Sequence, residues 1–292
     1  MGWRTIVVHS RAKLELKNNY LVIRSESVTR VHLDEISILI IENTGSAVTV
    51  SLLEALWTKK ICVIFCDRRR NPGAQLIPYY NSHDCSSKIH SQINWPQDFK
   101  DMVWCEIIRQ KIQNQAKVLY SPGIATGGNL LMKYVDEIEC PDITNREGHS
   151  AKVYFNALRG SSFSRSDDCF FNSALNYGYG ILLSCMTREI VANGYLTQLG
   201  LFHHNVFNEF NLGSDLMEPF RPLVDSIVLK LEEKDELTHE DKIQILSFLD
   251  YKVVINNTTQ CVKNAISIYV KSVFEAIENC DISAIRFYRY GF

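Results

Sequence analysis

What this 292-residue chain lacks bounds it before anything it contains. No run approaches the ~18 consecutive apolar residues that a bilayer crossing needs, so no membrane contact is expected. Met1-Gly2-Trp3-Arg4 leads straight into a strand-like run, without the basic stretch and short apolar core of a signal peptide. The chain therefore reads as cytoplasmic. There is no excess of positive charge: 31 Lys and Arg stand against 33 Asp and Glu, a formal net charge of −2. That excludes a uniformly basic nucleic-acid coat and leaves room for a local basic face only. No C-x-x-C pair occurs. Nine cysteines is an odd number, and the nearest pair, Cys62 and Cys66, sits in apolar surroundings. They read as reduced core residues, neither a disulfide framework nor a zinc site. No repeat and no low-complexity tract interrupts the chain. What it does have is 46% hydrophobic residues, enough for one large domain or two ordinary ones.

The expected fold class is α+β: a small N-terminal β-sandwich-like domain followed by a larger all-α domain. Residues 1–80 form the β part. Thr5-Ile6-Val7-Val8 is a short apolar strand, and Lys13-Leu14-Glu15-Leu16-Lys17 alternates with period two. Asn18-Asn19 is a turn signal and Tyr20-Leu21-Val22-Ile23-Arg24 returns, predicting a hairpin. Residues 29–33 and 36–41 continue the pattern. Residues 51–59 read as a short helix, 61–66 as a buried strand and 75–79 as an edge strand. Residues 81–96 are polar and turn-rich and read as a linker. Residues 97–292 read as helical. Helices are expected over 97–120, 129–138, 147–158, 169–192, from Phe220 onward, over 238–250 behind a Thr-x-x-Asp cap, and over 258–279; residues 251–256 read as a strand pair or an extended link.

The richest stretch for chemistry runs from His203 to Arg221. It sets an imidazole and the carboxylate of Glu218 15 positions apart, across an amide-rich segment with Asn205, Asn208 and Asn211. A His and a Glu so held can share a metal ion. Pro219 and Pro222 fit only a first helical turn, so Glu218 stands at a helix start, where the dipole favours negative charge. The plainer reading is a cap, and Asp215-x-x-Glu218 fits one. The asparagines read as backbone partners of an irregular loop. Glu147 has two readings as well. Thr144-x-x-Glu147 is a capping box, yet Glu147 shares a helical face with Ala151, Tyr154, Phe155 and Leu158. A carboxylate on an apolar face must be paired or metal-bound, because burying it alone is costly. Of His203 and His204, at most one can reach a given ion. The candidates to touch phosphate are Arg146, Lys152, Arg159, Arg165, Arg188 and Arg221, the last equally placed to pair with Glu218; the Asp67-Arg68-Arg69-Arg70 run is a further candidate, though such charge runs are usually only solvated.

Four segments stand in order along the chain: Asn145-Arg146-Glu147-Gly148-His149-Ser150-Ala151-Lys152-Val153-Tyr154-Phe155, Asn176-Tyr177-Gly178-Tyr179, Gly200-Leu201-Phe202-His203, and Asp215-Leu216-Met217-Glu218-Pro219-Phe220-Arg221-Pro222. Together they resemble the CRISPR-associated endonuclease one family, the spacer-acquisition integrases. Gly2-Trp3-Arg4 and the strand ending Val63-Ile64-Phe65-Cys66-Asp67 resemble its type II-A branch. Ser150 stands where the family commonly has alanine. The resemblance implies that Glu147, His203 and Glu218 are both the catalytic residues and the ligands of a Mg²⁺ or Mn²⁺ ion, with His203 preferred over His204. It implies joining of the 3′-OH ends of a short DNA duplex to the leader-proximal repeat of a CRISPR array. It also implies a homodimer through the N-terminal domain, and a small ferredoxin-like adaptation partner in a heterohexamer. A type II effector nuclease and an accessory adaptation protein are further implied partners. The alternative is a catalytically silent DNA-binding or assembly subunit. A zinc hydrolase built on His203 and His204 is disfavoured, since no H-E-x-x-H and no cysteine ligand pair is present.

Overall fold

A computed structural model describes residues 2–79 and 82–290. The chain divides into two compact units, Met1–Cys85 and Ser86–Phe292. The boundary expected between residues 80 and 81 falls outside the described residues.

The first unit is two four-stranded sheets with a shared core. Its strands are β1 (Arg4–Val8), β2 (Lys13–Lys17), β3 (Tyr20–Arg24), β4 (Val28–His32), β5 (Ile36–Ile41), β6 (Ala47–Val48), β7 (Cys62–Cys66) and β8 (Pro72–Gln75), with helix α1 (Val50–Thr58) before β7. One sheet runs β1-β5-β7-β8, the other β4-β3-β2-β6. Val8, Leu39, Ile41 and Val63 of the first sheet meet Leu14, Leu21 and Val31 of the second, with Leu52 and Leu56 of α1. The β2–β3 hairpin turns on Asn18 and Asn19, both in the left-handed region (φ 51° and 64°), which asparagine tolerates. The edge strand forms at Pro72–Gln75, short of the expected 75–79. A tight turn explains the shift. Asp67 accepts the N–H groups of Arg69 (2.8 Å) and Asn71 (2.9 Å), so pairing with β7 resumes at once. The arginine run is thus turn structure.

The second unit is helical: α2 (Cys85–Ile93), α3 (Gln97–Tyr120), α4 (Ala125–Asp136), α5 (Arg146–Arg159), α6 (Phe170–Ala192), α7 (Asn211–Met217), α8 (Arg221–Val228), α9 (His239–Leu246) and α10 (Val262–Asn279). Among the described residues one hairpin, β9 (Lys252–Ile255) with β10 (Thr258–Cys261), turns on Asn256-Asn257 at φ 49° and 57°. It is the strand pair left open by the sequence, and it shortens the last helix to Val262–Asn279. The polar stretch read as a linker holds α2. Its anchors are amides and not an apolar stripe. Gln92 donates to the carbonyls of Leu196 and Leu199 and accepts the Leu196 N–H, which hides the helix from a hydrophobic-period reading. Glycine sets the packing of α6: a Cβ on Gly178 would lie 2.4 Å from Val224 of α8. A helix-interior glycine, poor in helix propensity, permits this close approach.

Candidate active site

Glu147 lies in the first turn of α5, but not as a capping residue. The N-cap is Asn145, in the left-handed region, and its Oδ1 accepts the Gly148 N–H at 3.2 Å. Asp142 accepts the N–H groups of Arg146 (2.7 Å) and Glu147 (3.0 Å). The first-turn donors are therefore satisfied without Thr144 or Glu147. The Thr144–Glu147 box does not form, and the Glu147 carboxylate crosses to α3, where it accepts a hydrogen bond from Lys111.

Glu218 opens the 3₁₀ turn Glu218–Phe220 that joins α7 to α8, with a proline in its first turn. Asn114 of α3 donates to the Pro219 carbonyl at 3.0 Å, and the Tyr288 hydroxyl donates to it at 2.8 Å. The turn is thus fixed against α3. Glu218 is 4% exposed. Its Oε1 lies 2.9 Å from Arg221 Nε, and its Oε2 is in contact with the Lys111 ammonium. Glu218 Oε2 is buried and makes no aligned hydrogen bond.

His203 comes from the loop between α6 and α7, wrapped round the fully buried Asp215. Asp215 accepts the N–H groups of Leu201 (2.6 Å), Phe202 (3.1 Å) and His203 (3.3 Å), and faces His203 Nδ1 at 2.5 Å. It is a loop clamp and not the helix cap read from Asp-x-x-Glu. A carboxylate only accepts, so Nδ1 carries the proton and Nε2 keeps its lone pair in the neutral ring. The ring is held edge-on by Trp104 (5.5 Å, 86°), which itself stacks on Phe202 (4.6 Å, 4°). Gly200 makes the wrap possible: a Cβ there would sit 2.4 Å from the His203 carbonyl and 2.8 Å from Asp215. The Asp215 hydrogen bond raises the His203 pKa, against partial burial that lowers it.

Lys111 joins the two carboxylates. Burial works against its charge, but Glu218 and Glu147 outweigh it and hold the ammonium above its ordinary pKa. Lys111 in turn holds Glu147 below the usual carboxylate range. Arg221 is likewise disfavoured by burial and rescued by Glu218. Its guanidinium lies over the Tyr179 ring at 4.7 Å. Beneath that layer Tyr179 and Tyr154 donate to Asp225 at 2.5 and 3.0 Å. Burial pushes Asp225 up to about 6, although both tyrosine hydrogen bonds pull the other way.

Two carboxylates meeting at a cation, with an imidazole beside them, match the residues that the four motifs singled out. A sequence model of the CRISPR associated protein Cas1 family matches residues 5–259. The CRISPR-associated endonuclease Cas1 of Neisseria meningitidis serogroup C (strain 8013) is 36% identical over 260 residues, covering 87% of this chain and 86% of its own length. The chain belongs to the Cas1 family. Solved structures agree on the fold. A casposase bound to integration product aligns at TM-score 0.74 and 18% identity, over 96% of this chain and 91% of its own. A chain of a Cas6-RT-Cas1--Cas2 complex aligns at TM-score 0.74 and 18% identity, over 97% of this chain and 36% of its own.

In this Cas1-family chain, Glu147, Glu218 and His203 could hold a divalent ion. Oxygen donors with one imidazole suit Mg²⁺ or Mn²⁺, the imidazole favouring Mn²⁺. Among the described residues, no three His, Cys, Asp or Glu side chains are grouped closely enough to hold one ion as they stand. The Lys111 ammonium takes the bridging place. A buried cation between two carboxylates from separate elements satisfies the same charge that a bound metal ion would. The Asp215–His203 pair is also the arrangement that orients a metal-ligating imidazole through its other nitrogen. His204 is exposed.

The six basic residues do not make one open face. Arg146 pairs with Glu137 at 2.9 Å, Arg159 with Glu233, Arg188 with Glu189 at 2.8 Å, and Arg221 with Glu218. Arg165 is bonded to Asn172 and Asn176. Lys152 is exposed. The asparagines hold the loop as expected. Asn205 accepts from Phe207, Asn208 from Phe210, and Asn211 donates to the carbonyls of Gln198 and Asn205. Sequence reasoning missed Lys111, Asn114 and the Asp225–tyrosine layer. For Lys111 the one available signal was a lysine beside Ile112, on the stripe that runs through Ile108 and Ala116. None of the nine cysteines is in a disulfide, and among the described residues no helix is long and apolar enough to cross a membrane.

Proposed function

We propose that this Cas1-family chain is a metal-dependent DNA strand transferase of CRISPR adaptation. It joins the 3′-OH ends of a short duplex to the leader-proximal repeat. The observation that carries this reading is the meeting of Glu147 and Glu218, from separate elements, at one cationic point. Glu147, Glu218 and His203 Nε2 would hold the Mg²⁺ or Mn²⁺, which when bound polarises the phosphoryl oxygen and stabilises the leaving 3′-oxygen. Asp215 fixes the His203 tautomer. Arg221 and Lys111 offer charge to the non-bridging oxygens of the phosphodiester. The attacking 3′-OH gives up its proton and forms a new P–O bond. The bond to the old 3′-oxygen breaks, and that oxygen takes a proton. One phosphodiester replaces another, so no nucleotide triphosphate is needed. With water as nucleophile the same site cleaves, which accounts for an endonuclease activity. Holding the two DNA ends together supplies much of the rate.

The relative named as an endonuclease and the casposase structure named with its integration product support this chemistry. The partners that go with it are double-stranded DNA, a second copy of the chain through its N-terminal unit, and a small ferredoxin-like subunit. A type II effector nuclease and an accessory adaptation protein complete the set. Replacing Glu218→Gln tests the reading. Strand transfer should fall on the order of a hundredfold or more, with circular dichroism and duplex affinity retained. Unchanged strand transfer would sink it and leave the catalytically silent subunit.

A further inference from the structure

We propose that Lys111 is a built-in counterion that keeps the carboxylate pair closed to metal until DNA phosphate arrives, so that metal and DNA enter together. The inference rests on the reading that Glu147 and Glu218 hold the ion. Its first support is geometric. The Lys111 ammonium contacts Glu147 of α5 and Glu218 of the α7–α8 turn, so it occupies the place between them that an ion would need. With it there, the described residues offer no three-ligand group.

The second support is charge. Glu147 and Glu218 face Lys111 and Arg221, two negative groups against two positive ones, and the Lys111 and Glu218 side chains are each 6% exposed. A divalent ion added here brings two positive charges to carboxylates that Lys111 and Arg221 already offset, at a site whose Lys111–Glu218 core is buried, which is costly. Each DNA phosphodiester brings one negative charge. Two of them, one attached to the nucleophile strand and one under attack, restore the balance.

The third support is mechanical. Asn114, three residues on from Lys111, ties α3 to the Pro219 carbonyl. The α3 backbone is thereby fixed against the Glu218 turn, so the Lys111–Glu218 contact opens by side-chain movement and not by displacement of the helix. Its flexible four-carbon stem and compact charge suit a shift from carboxylate to phosphate. Arginine, with a rigid fork, would not serve.

Mn²⁺ binding to the full chain, followed by electron paramagnetic resonance of the free ion, separates the outcomes. Wild type is measured alone and with a short duplex bearing 3′-OH ends, with the binding of the duplex alone subtracted. K111M is measured in the same way. Wild type should bind weakly alone and about tenfold or more tighter with DNA. K111M should bind about tenfold or more tighter than wild type without DNA, and gain little when DNA is added. Its melting temperature should rise with Mn²⁺ by more than that of wild type, an effect that lost packing does not produce. Equal wild-type affinity with and without DNA overturns the proposal, even if K111M fails to fold. Equal affinity of folded K111M and wild type overturns it too, while leaving the metal reading of Glu147 and Glu218 standing. Absence of Mn²⁺ binding in every arm sinks that underlying reading, and the counterion role with it.

Discussion

Asp215 does more for the site than its place two turns before Arg221 suggests. It takes three backbone N–H groups and the Nδ1 proton of His203, and has no capacity to donate. Asp215→Asn keeps the shape but turns one acceptor into a donor facing these four. The His203 pKa should drop, because the hydrogen bond that raises it is lost. Mn²⁺ affinity should fall about 10–100-fold, the usual loss when a carboxylate behind a ligating imidazole is removed. Two-dimensional NMR of the His203 ring and Mn²⁺ titration check these outcomes, and an unmoved His203 pKa would show that Asp215 only braces the loop. At this scale the sequence was legible where chemistry is local. Glu147, His203 and Glu218 stand in dense motifs. Asp215 was visible but misread, because Asp-x-x-Glu before a proline is a common cap and its acceptors lie back in the Leu201–His203 loop. Lys111 was the hardest to read: one of three lysines in a 24-residue helix, it reads as a solvated side chain until the elements facing it are known.

Elements were easier to read than the contacts between them. The period-two strand β2, the apolar runs β3 and β5 and the long helices α3 and α6 follow from apolar spacing, and the α9 cap follows from Thr238 and Asp241. What sequence could not supply is the layer where α5, α6 and α8 meet over Asp225. Two tyrosines donate to that carboxylate, and Arg221 and Arg165 add favourable charge, yet burial dominates and raises its pKa to about 6. A raised carboxyl pKa favours the folded state at low pH. Its contribution is complete below the ordinary aspartate value and is lost as pH rises through about 6. The loss by neutral pH is about 3 kcal/mol for a group so fully buried. Asp225→Asn removes this titration. The stability of wild type relative to D225N should therefore decline between about pH 4 and 7, measured by urea unfolding at fixed ionic strength. A flat difference across that window would mean that the tyrosines and arginines hold Asp225 ionised throughout.

On the proposed strand-transfer reading, a molecule of formal net charge −2 must concentrate its positive charge to bind duplex DNA, and here most of the basic candidates are already engaged. Arg146, Arg159, Arg188 and Arg221 face carboxylates, and Arg165 faces amides. Binding DNA through them exchanges internal ion pairs for phosphate contacts, so each contributes less than a free cation. Lys152 has no such exchange to make. It lies on α5, five residues from Glu147, and is exposed. Lys152→Ala should weaken duplex binding uniformly across sequences and lower the slope of log affinity against log salt by about 1. The converse variant is more telling. Glu233 pairs with Arg159, and the pair is open to solvent, with the two side chains 53% and 31% exposed. Surface pairs of this kind contribute little to stability, of order 0–1 kcal/mol, so Glu233→Gln should leave the melting temperature nearly unchanged. It should nevertheless tighten duplex binding, because Arg159 then meets phosphate without first leaving a carboxylate. Fluorescence anisotropy over a salt series reads both variants. Tighter binding in E233Q with a steeper salt slope places Arg159 on the DNA path. Unchanged affinity in E233Q with weakened K152A confines that path to the Lys152 side of α5.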